Sequence, residues 1–352
     1  MDTSVFLIQM SSTIEYKLAV VIPCWNCKNE IAAMLDSILL QGFSDWKLFC
    51  VDDQSTDNTQ RIIKDYAEKD HRIHLIIRKR EPKGAQTCRN IGLELSKGAK
   101  YVMWLDSDDL IASYCFEQRV LYMDSRKDID FGIFPAKTFV KDQWEETDTC
   151  YGFPIYSDSL KALLTWTLPM VGWTNIYRRE SIVSFHLSWD ERLLSMQDSD
   201  FNIQAILKGL SFAYAYNEGA KVDYFYRVMV DSSITSKLYT DMHFQSHLYL
   251  LNKITESLSS NQKTKYKANL EIYFLIFARL FKYDKNIFIQ FLKIRWVKEN
   301  PSFRIRLIAW RFLGFHFTYK LFFRRIHKNE IDSLSEWKEK MKSYLTSGIV
   351  SK

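Results

Sequence analysis

The sequence predicts an α/β chain: a doubly wound, mostly parallel sheet followed by a C-terminal helical extension. Three observations predict it. Between residues 17 and 140, short apolar, β-prone runs alternate with segments of helical spacing. Three of those runs stop abruptly at polar or acidic residues, as buried parallel strands do at the edge where open sheets bind ligands. From about residue 240 the texture changes to long stretches rich in Leu, Phe, Tyr and Lys. Strands alternating with helices imply right-handed crossovers, so the strand-end loops fall on one edge.

Taken in order, residues 18–22 read as a buried strand ended by Pro23. Residues 29–41 have helical spacing through Ile31, Leu35, Ile38 and Leu39. A second strand over 48–51 ends at Asp52 and Asp53. Asp57 with Gln60 reads as a capping box opening a helix to about residue 69. Residues 73–77 form the third strand, and 85–97 a helix closed by Gly98. The fourth strand spans 101–105, a helix follows near 113–125, and 131–134 is a fifth strand.

The fourth strand runs into Asp106-Ser107-Asp108-Asp109. Three carboxylates crowded at a strand end repel one another unless a cation sits among them. Hard cations such as Mg²⁺ and Mn²⁺ take oxygen ligands, and Mg²⁺ commonly pairs one or two carboxylates with substrate phosphates. Asp106 and Asp108 therefore read as a D-x-D clamp for a metal–diphosphate, and a plain polar turn before a helix is the alternative. The other strand ends also have ordinary readings. Residues 52–57 could be a turn and cap, Arg89 and Asn90 a solvated helix face, and Trp25 core. The functional reading rests on their convergence on one edge.

Composition narrows the class. A chain of 352 residues holds one large or two modest domains, and 47% hydrophobic with 26% charged residues is globular. The six cysteines are scattered and read as reduced, buried thiols. Cys24 and Cys27 are spaced C-x-x-C, but a structural zinc needs a second pair. The net charge of +6 resides in residues 301–329, which carry seven Lys or Arg and no acid; the rest sums to −1. That distribution excludes a nucleic-acid enzyme with a basic body, so no nucleic-acid partner is expected. No uncharged apolar run reaches the ~18 residues that span a bilayer. Residues 1–16 lack a basic, then apolar, signal pattern and are expected to be a loose leader. The expected setting is cytoplasmic. Residues 301–329 either dock on an anionic inner-leaflet surface or form a buttressing helical subdomain with solvated cations. Their cations do not gather on one side of a helical wheel.

Four segments together carry a resemblance: Val20-Val21-Ile22-Pro23-Cys24-Trp25-Asn26, Val51-Asp52-Asp53-Gln54-Ser55-Thr56-Asp57, Arg89-Asn90-Ile91-Gly92 and Trp104-Leu105-Asp106-Ser107-Asp108-Asp109. In order and spacing this set resembles glycosyltransferase family 2, over about residues 17–235. The resemblance implies the GT-A fold and an inverting, divalent-metal-dependent enzyme using nucleotide-diphosphate sugars, most commonly of uridine. It implies that Pro23 and Trp25 line the nucleobase pocket and that Asp53 accepts a hydrogen bond from the base. It also implies that Arg89 approaches the diphosphate or base, that Asp106 and Asp108 hold ribose and Mn²⁺ or Mg²⁺, and that Ser107 is part of the donor site. Elementary chemistry agrees: a carboxylate accepts from an imide N–H, an aromatic packs on a base, and a guanidinium pairs with phosphate.

The segment 172–179 resembles the family's run before the acceptor-site helix, which would put Trp173 on the acceptor side. In Met196-Gln197-Asp198-Ser199-Asp200-Phe201 the family usually has Glu-Asp, a second acid and an aromatic. Gln197 replaces the Glu, and Asp198 aligns with the catalytic base. Asp198 could equally cap the helix to about residue 207, and Asp200 is the alternative base. Some relatives use a His as a metal ligand where this chain has Met229. His243 with His247, and His71 with His74, read as structural. The expected organisation is a leader over 1–16, a GT-A domain over 17–238 and a helical, basic-aromatic region over 239–352. The domain divides into a nucleotide-sugar half, 17–140, and an acceptor half, 141–238. The expected reaction is transfer to a hydroxyl of a glycan or lipid-linked acceptor in bacterial surface-polysaccharide synthesis. The rivals are a degenerate, non-catalytic sugar-nucleotide binder and a sugar nucleotidyltransferase. The latter needs a Gly-rich phosphate loop near the first strand, where Pro23-Cys24-Trp25-Asn26 stands instead.

Overall fold

A computed structural model describes residues 14–140, 143–154, 156–165, 169–228, 240–281 and 284–313. The first half alternates as the sequence predicts: β1 (Tyr16–Cys24), α1 (Ile31–Leu39), β2 (Trp46–Asp52), α2 (Thr59–Ala67), β3 (Ile73–Ile77), α3 (Ala85–Leu95) and β4 (Ala99–Trp104). Then come β5 (Leu110–Ile111), α4 (Cys115–Ser125), β6 (Phe131–Ile133), β7 (Ala136–Val140), β8 (Gln143–Tyr151) and α5 (Ser159–Leu164). The middle of the chain supplies β9 (Asn175–Arg178), α6 (Arg179–Ser184), α7 (Gln197–Leu207), β10 (Phe212–Tyr214) and β11 (Tyr224–Val228). The described C-terminal part is helical: α8 (Asp241–Ser257), α9 (Ser260–Lys265), α10 (Lys267–Phe281), α11 (Lys285–Leu292), α12 (Arg295–Glu299) and α13 (Pro301–Leu313).

The seven-stranded sheet has the order β10-β6-β9-β4-β1-β2-β3. β1 is flanked by parallel β4 and β2, with Val21 opposite Trp104 and Cys24 opposite Asp52. The carboxyl ends of these three strands are therefore side by side. β9 runs antiparallel between β4 and β6. A second sheet, β5-β11-β7-β8, lies beyond the end of β4.

Local boundaries differ from the sequence expectation for physical reasons. β1 continues through Pro23 to Cys24. Its pairing with β4 stops at Val21, so Pro23 sits where the strand has one neighbour, and its missing N–H is tolerated there. The expected capping box at Asp57 does not form. Asp57 Oδ1 accepts from the Thr59 amide at 2.9 Å, and Gln60 Nε2 turns back to Asp52 Oδ2 at 2.7 Å, so α2 opens only at Thr59.

Alternation along the strands sorts the core into two faces. Leu18, Val20, Tyr101 and Met103 face one cluster, and Ala19, Val21, Val102 and Trp104 the other. The second cluster continues without interruption into Leu250, Leu251, Tyr273, Phe277, Phe303, Leu307 and Trp310. The C-terminal helices thus extend the core on that side, with α8 packed on α7 and α10 on α5. The expected boundary near 238 lies within 229–239, outside the described residues, as do Met229 and 314–329.

Within α13, Phe303, Leu307 and Trp310 are buried at helical spacing. Arg306 pairs with Glu271 at 2.7 Å, and the Arg311 guanidinium lies 4.9 Å over the Phe288 ring. This stretch is amphipathic by its apolar residues, which the scatter of its cations hid. His243 and His247 are core residues, and His74 stacks on Phe49. All six cysteines are buried, and none is in a disulfide. Among the described residues, no helix is long and apolar enough to cross a membrane.

Candidate active site

The β1, β2 and β4 ends are tied to one another. The Asp53 amide donates to the Cys24 carbonyl at 2.8 Å, and the Leu105 amide to the Val21 carbonyl at 3.0 Å. The Asn26 amide donates to Ser55 Oγ at 2.9 Å, and Asn26 Oδ1 accepts from the Thr56 amide at 2.8 Å. Pro23 is half-buried, whereas Trp25 is 55% exposed at this edge, a stance open to a planar ligand. Asp52 is fully buried and serves the turn, accepting from the Ser55 amide and Gln60. Asp53 pairs through Oδ1 with Arg78, a buried residue just past β3. Sequence reasoning missed Arg78; a cation one residue beyond the third strand's end was its only signal.

At the end of β4 the carboxylates divide into two roles. Asp109 is fully buried. Its Oδ2 accepts from the Tyr224 hydroxyl at 2.5 Å and its Oδ1 from the Arg227 amide at 2.7 Å. The Tyr224 oxygen in turn accepts from the Asp106 amide at 3.2 Å, and Arg227 Nε donates to the Asp108 carbonyl at 2.6 Å. β11 therefore fixes the backbone of the D-x-D turn. Asp106, Ser107 and Asp108 remain partly exposed. Burial, and then the Asp106 charge, push the Asp108 carboxyl up to about 6. A carboxylate disfavoured by burial and by a neighbouring negative charge is what a hard cation relieves, so Asp106 and Asp108 fit Mn²⁺ or Mg²⁺. Among the described residues no third acid, His or Cys joins them in a metal-binding group, which leaves the remaining positions to water or a diphosphate.

α3 carries Arg89 into the same place. Its helix packs directly on β1: a Cβ at Gly92 would lie 2.1 Å from Val21 Cγ1, so only glycine fits without a shift. Arg89 Nη2 donates to Asp106 Oδ1 at 2.8 Å, Nη1 to Gln197 Oε1 at 2.8 Å, and its guanidinium lies 4.6 Å over the Trp189 ring. Gln197 Nε2 donates to Gln86 Oε1 at 2.8 Å, a bond no carboxylate could donate. The next residue is Asp198, the second of α7. It does not cap that helix: Met196 holds the cap position at φ 60°, and Asp198 Oδ1 accepts from the Gly172 amide at 2.7 Å. Burial pushes the Asp198 carboxyl above the usual carboxylate range, the nearby Arg89 charge opposes this, and Asp106 adds to it.

The other acceptor-side residues fall elsewhere. Trp173 is nearly buried and stacks on Tyr224 with ring centroids 4.5 Å apart, behind the D-x-D turn. Asp200 is 1% exposed and its Oδ2 accepts from Lys253 Nζ of α8 at 2.6 Å. It belongs to a charge cluster with Asp190, apart from the Arg89–Asp106 group. The geometry thus gathers Asp106, Asp108, the Arg89 guanidinium and the raised Asp198 carboxyl around the end of β4, with Asp53 on the same edge at the end of β2.

Comparison with known proteins gives this arrangement its context. The profile described as Glycosyl transferase family 2 matches residues 19–185. Those residues are a family 2 glycosyltransferase domain. Among curated relatives, the uncharacterized glycosyltransferase EpsJ of Bacillus subtilis is 26% identical over 258 residues, covering 69% of this chain and 73% of that one. The poly(ribitol-phosphate) beta-glucosyltransferase of Bacillus spizizenii is 25% identical over 229 residues, 63% of this chain and 34% of that one. Staphylococcus aureus TarS 1–349, solved with UDP-GlcNAc, superposes with a TM-score of 0.58 at 18% identity, covering 94% of this chain and 92% of that one. The likeness to TarS includes the C-terminal helices, so the family 2 domain and its helical extension share one GT-A architecture.

Proposed function

We propose that the chain is an inverting glycosyltransferase that moves a sugar from a uridine-diphosphate sugar to a hydroxyl of a glycan or lipid-linked acceptor in bacterial surface-polymer assembly. The observation that carries the reading is the placement of Asp198. It follows Gln197, whose amide is joined to Asp106 through Arg89, so an elevated carboxylate stands beside the donor clamp. TarS binds UDP-GlcNAc, and the Bacillus spizizenii enzyme acts on poly(ribitol phosphate). Both support a UDP sugar and a surface-polymer acceptor for this chain.

In this mechanism Pro23 and Trp25 flank the base, and Asp53, oriented by Arg78, accepts from its imide N–H. Gly172 steadies Asp198 Oδ1, and Oδ2 takes the proton of the acceptor hydroxyl. The acceptor oxygen attacks the anomeric carbon in line. The carbon–oxygen bond to the diphosphate breaks with its electron pair leaving on the nucleotide, which inverts the centre. A divalent cation held by Asp106 and Asp108 supplies neutralisation of that departing charge when bound. Arg89, displaced from Asp106, contributes a second positive group. We place the protein on the cytoplasmic side, where nucleotide sugars are made.

The test is Asp198→Asn. The amide is isosteric and cannot take the proton, so UDP binding by calorimetry stays within twofold. Turnover of the best donor from a nucleotide-sugar panel falls by about 10²–10⁴. Near-normal turnover would remove Asp198 from the base role. A panel in which no nucleotide sugar stabilises the protein, with or without Mn²⁺, would favour the non-catalytic alternative.

A further inference from the structure

Beyond its contacts with α3 and Gly172, the segment that delivers Asp198 is held by the C-terminal helices. On the near side, the Leu194 amide donates to Ser246 Oγ at 2.9 Å, and Ser195 Oγ meets His247 Nε2 at 2.7 Å. On the far side, Ser199 Oγ meets the Tyr273 hydroxyl at 3.1 Å, and Asp200 Oδ2 accepts from Lys253 Nζ at 2.6 Å. Lys253 also reaches Asp190 Oδ2 at 2.8 Å, which the Tyr249 hydroxyl contacts at 2.7 Å. All the holding groups belong to α8 and α10. Every fixed residue lies within four positions of Asp198, except Asp190 at the root of the same segment.

We propose that Lys253 is a positioning residue for transfer: by bridging Asp190 and Asp200 it pins both ends of the 190–200 segment and so sets where Asp198 meets the acceptor. The inference rests on Asp198 being the base. Asp190 and Asp200 are separated by the turn at Met196, whose positive φ marks a backbone that local sequence alone would not hold. A single ammonium, 20% exposed, ties the two sides of that turn. A shift of about 1 Å at a base costs roughly 10²-fold in rate while leaving donor contacts on other strands alone. Lys253 itself touches none of the donor residues Pro23, Trp25, Asp53, Asp106 and Asp108.

The experiment compares Lys253→Met with Lys253→Arg, and adds Lys253→Met/Asp200→Asn, which removes the cation together with one buried anion and so protects folding. Donor binding is read with UDP, and turnover with the nucleotide sugar the wild type uses fastest. The expected result for Lys253→Met and the double variant is a 10–100-fold loss of kcat with KM and UDP affinity within threefold. Lys253→Arg restores kcat to within about threefold. Tyr273→Phe, which removes one hydroxyl, lowers kcat severalfold in the same pattern. A folded Lys253→Met or double variant with kcat within twofold of wild type overturns the proposal. So does a kcat loss matched by an equal loss of UDP affinity, because that is general loosening. Asp198→Asn with normal turnover overturns the base assignment instead, whatever the Lys253 variants do.

Discussion

Asp108 of the D-x-D turn carries a cost when it is ionised on folding. Asp108 is raised to about 6 from an ordinary value near 4. A carboxyl raised on folding adds stability below its unfolded value, and that contribution is lost as pH rises through the folded value. The metal-free protein is therefore expected to lose stability between pH 4 and 6 from this group. Asp108→Asn should flatten that portion of the melting-temperature profile measured in EDTA, and should abolish stabilisation by Mn²⁺ with UDP at pH 7. An Asn variant that still gains stability from Mn²⁺ would show that the clamp lies elsewhere. The Asp198 carboxyl is also raised, but with the opposite pH dependence: as the proposed base it would work only when ionised, so kcat/KM should fall on the acid side of a midpoint above the ordinary carboxylate range. Asp106, Asp108 and Asp198 were legible in the sequence because each opens a loop or helix directly after a recognisable pattern. Arg78 and Lys253 were not, because their partners are fixed by strand order and helix docking rather than by spacing.

Among elements, the short turn before β9 approaches the start of α7 closely. A Cβ on Gly172 would lie 2.5 Å from Asp198 Oδ1 and 2.8 Å from Trp189 Cη2. Trp189 is stacked on Phe201 at 4.3 Å and edge-on to Trp104, so it cannot retreat freely. Gly172→Ala should thus push the carboxylate, lowering kcat by tenfold or more. The overpacking should destabilise the fold by about 1–3 kcal/mol, read from urea midpoints. Unchanged turnover in a folded Gly172→Ala protein would mean the carboxylate's placement is not critical. The alternating strands and helices of the first half were readable because period-2 and period-3.6 patterns are local. β9 was not. Only four residues long, it takes its place through contacts with β4 and β6, whose residues are remote in sequence. The second sheet was hidden for the same reason, since β11 joins β5 and β7 across the chain.

At the level of the whole molecule, residues 301–313 serve the interior first. Trp310 is 1% exposed, and Trp310→Ala should cost about 3–5 kcal/mol. Truncation at residue 300 should unfold the protein, detected by loss of a cooperative melt. Arg306 and Arg311 are engaged by Glu271 and Phe288. If residues 301–329 also meet an anionic membrane, exposed Arg304 and the cations beyond 313 must supply it. Sedimentation with anionic vesicles should then fall as salt rises and vanish when Lys320, Arg324, Arg325 and Lys328 become Glu, with turnover intact. Full-length protein that ignores such vesicles at low salt would leave the segment a buttress alone.

The core shared by the sheet and α8–α13 also sets an order of events during synthesis. Ribosomes deliver the amino-terminal part first, at about 5–20 residues per second. β1 to β4 can pair early and α3 covers Val21, yet the surfaces of α5 and α7 on which α8 and α10 pack stay open until Leu250, Tyr273 and Phe303 have emerged. Lys253 and Tyr273 belong to that same late part. On the proposed function, a nascent chain would therefore hold the strand-end cleft before Asp198 is correctly aimed, and transfer would begin only when the last helices dock on α5 and α7. Ribosome-bound intermediates released at residue 240 should bind UDP weakly, aggregate through the uncovered surfaces and transfer no sugar.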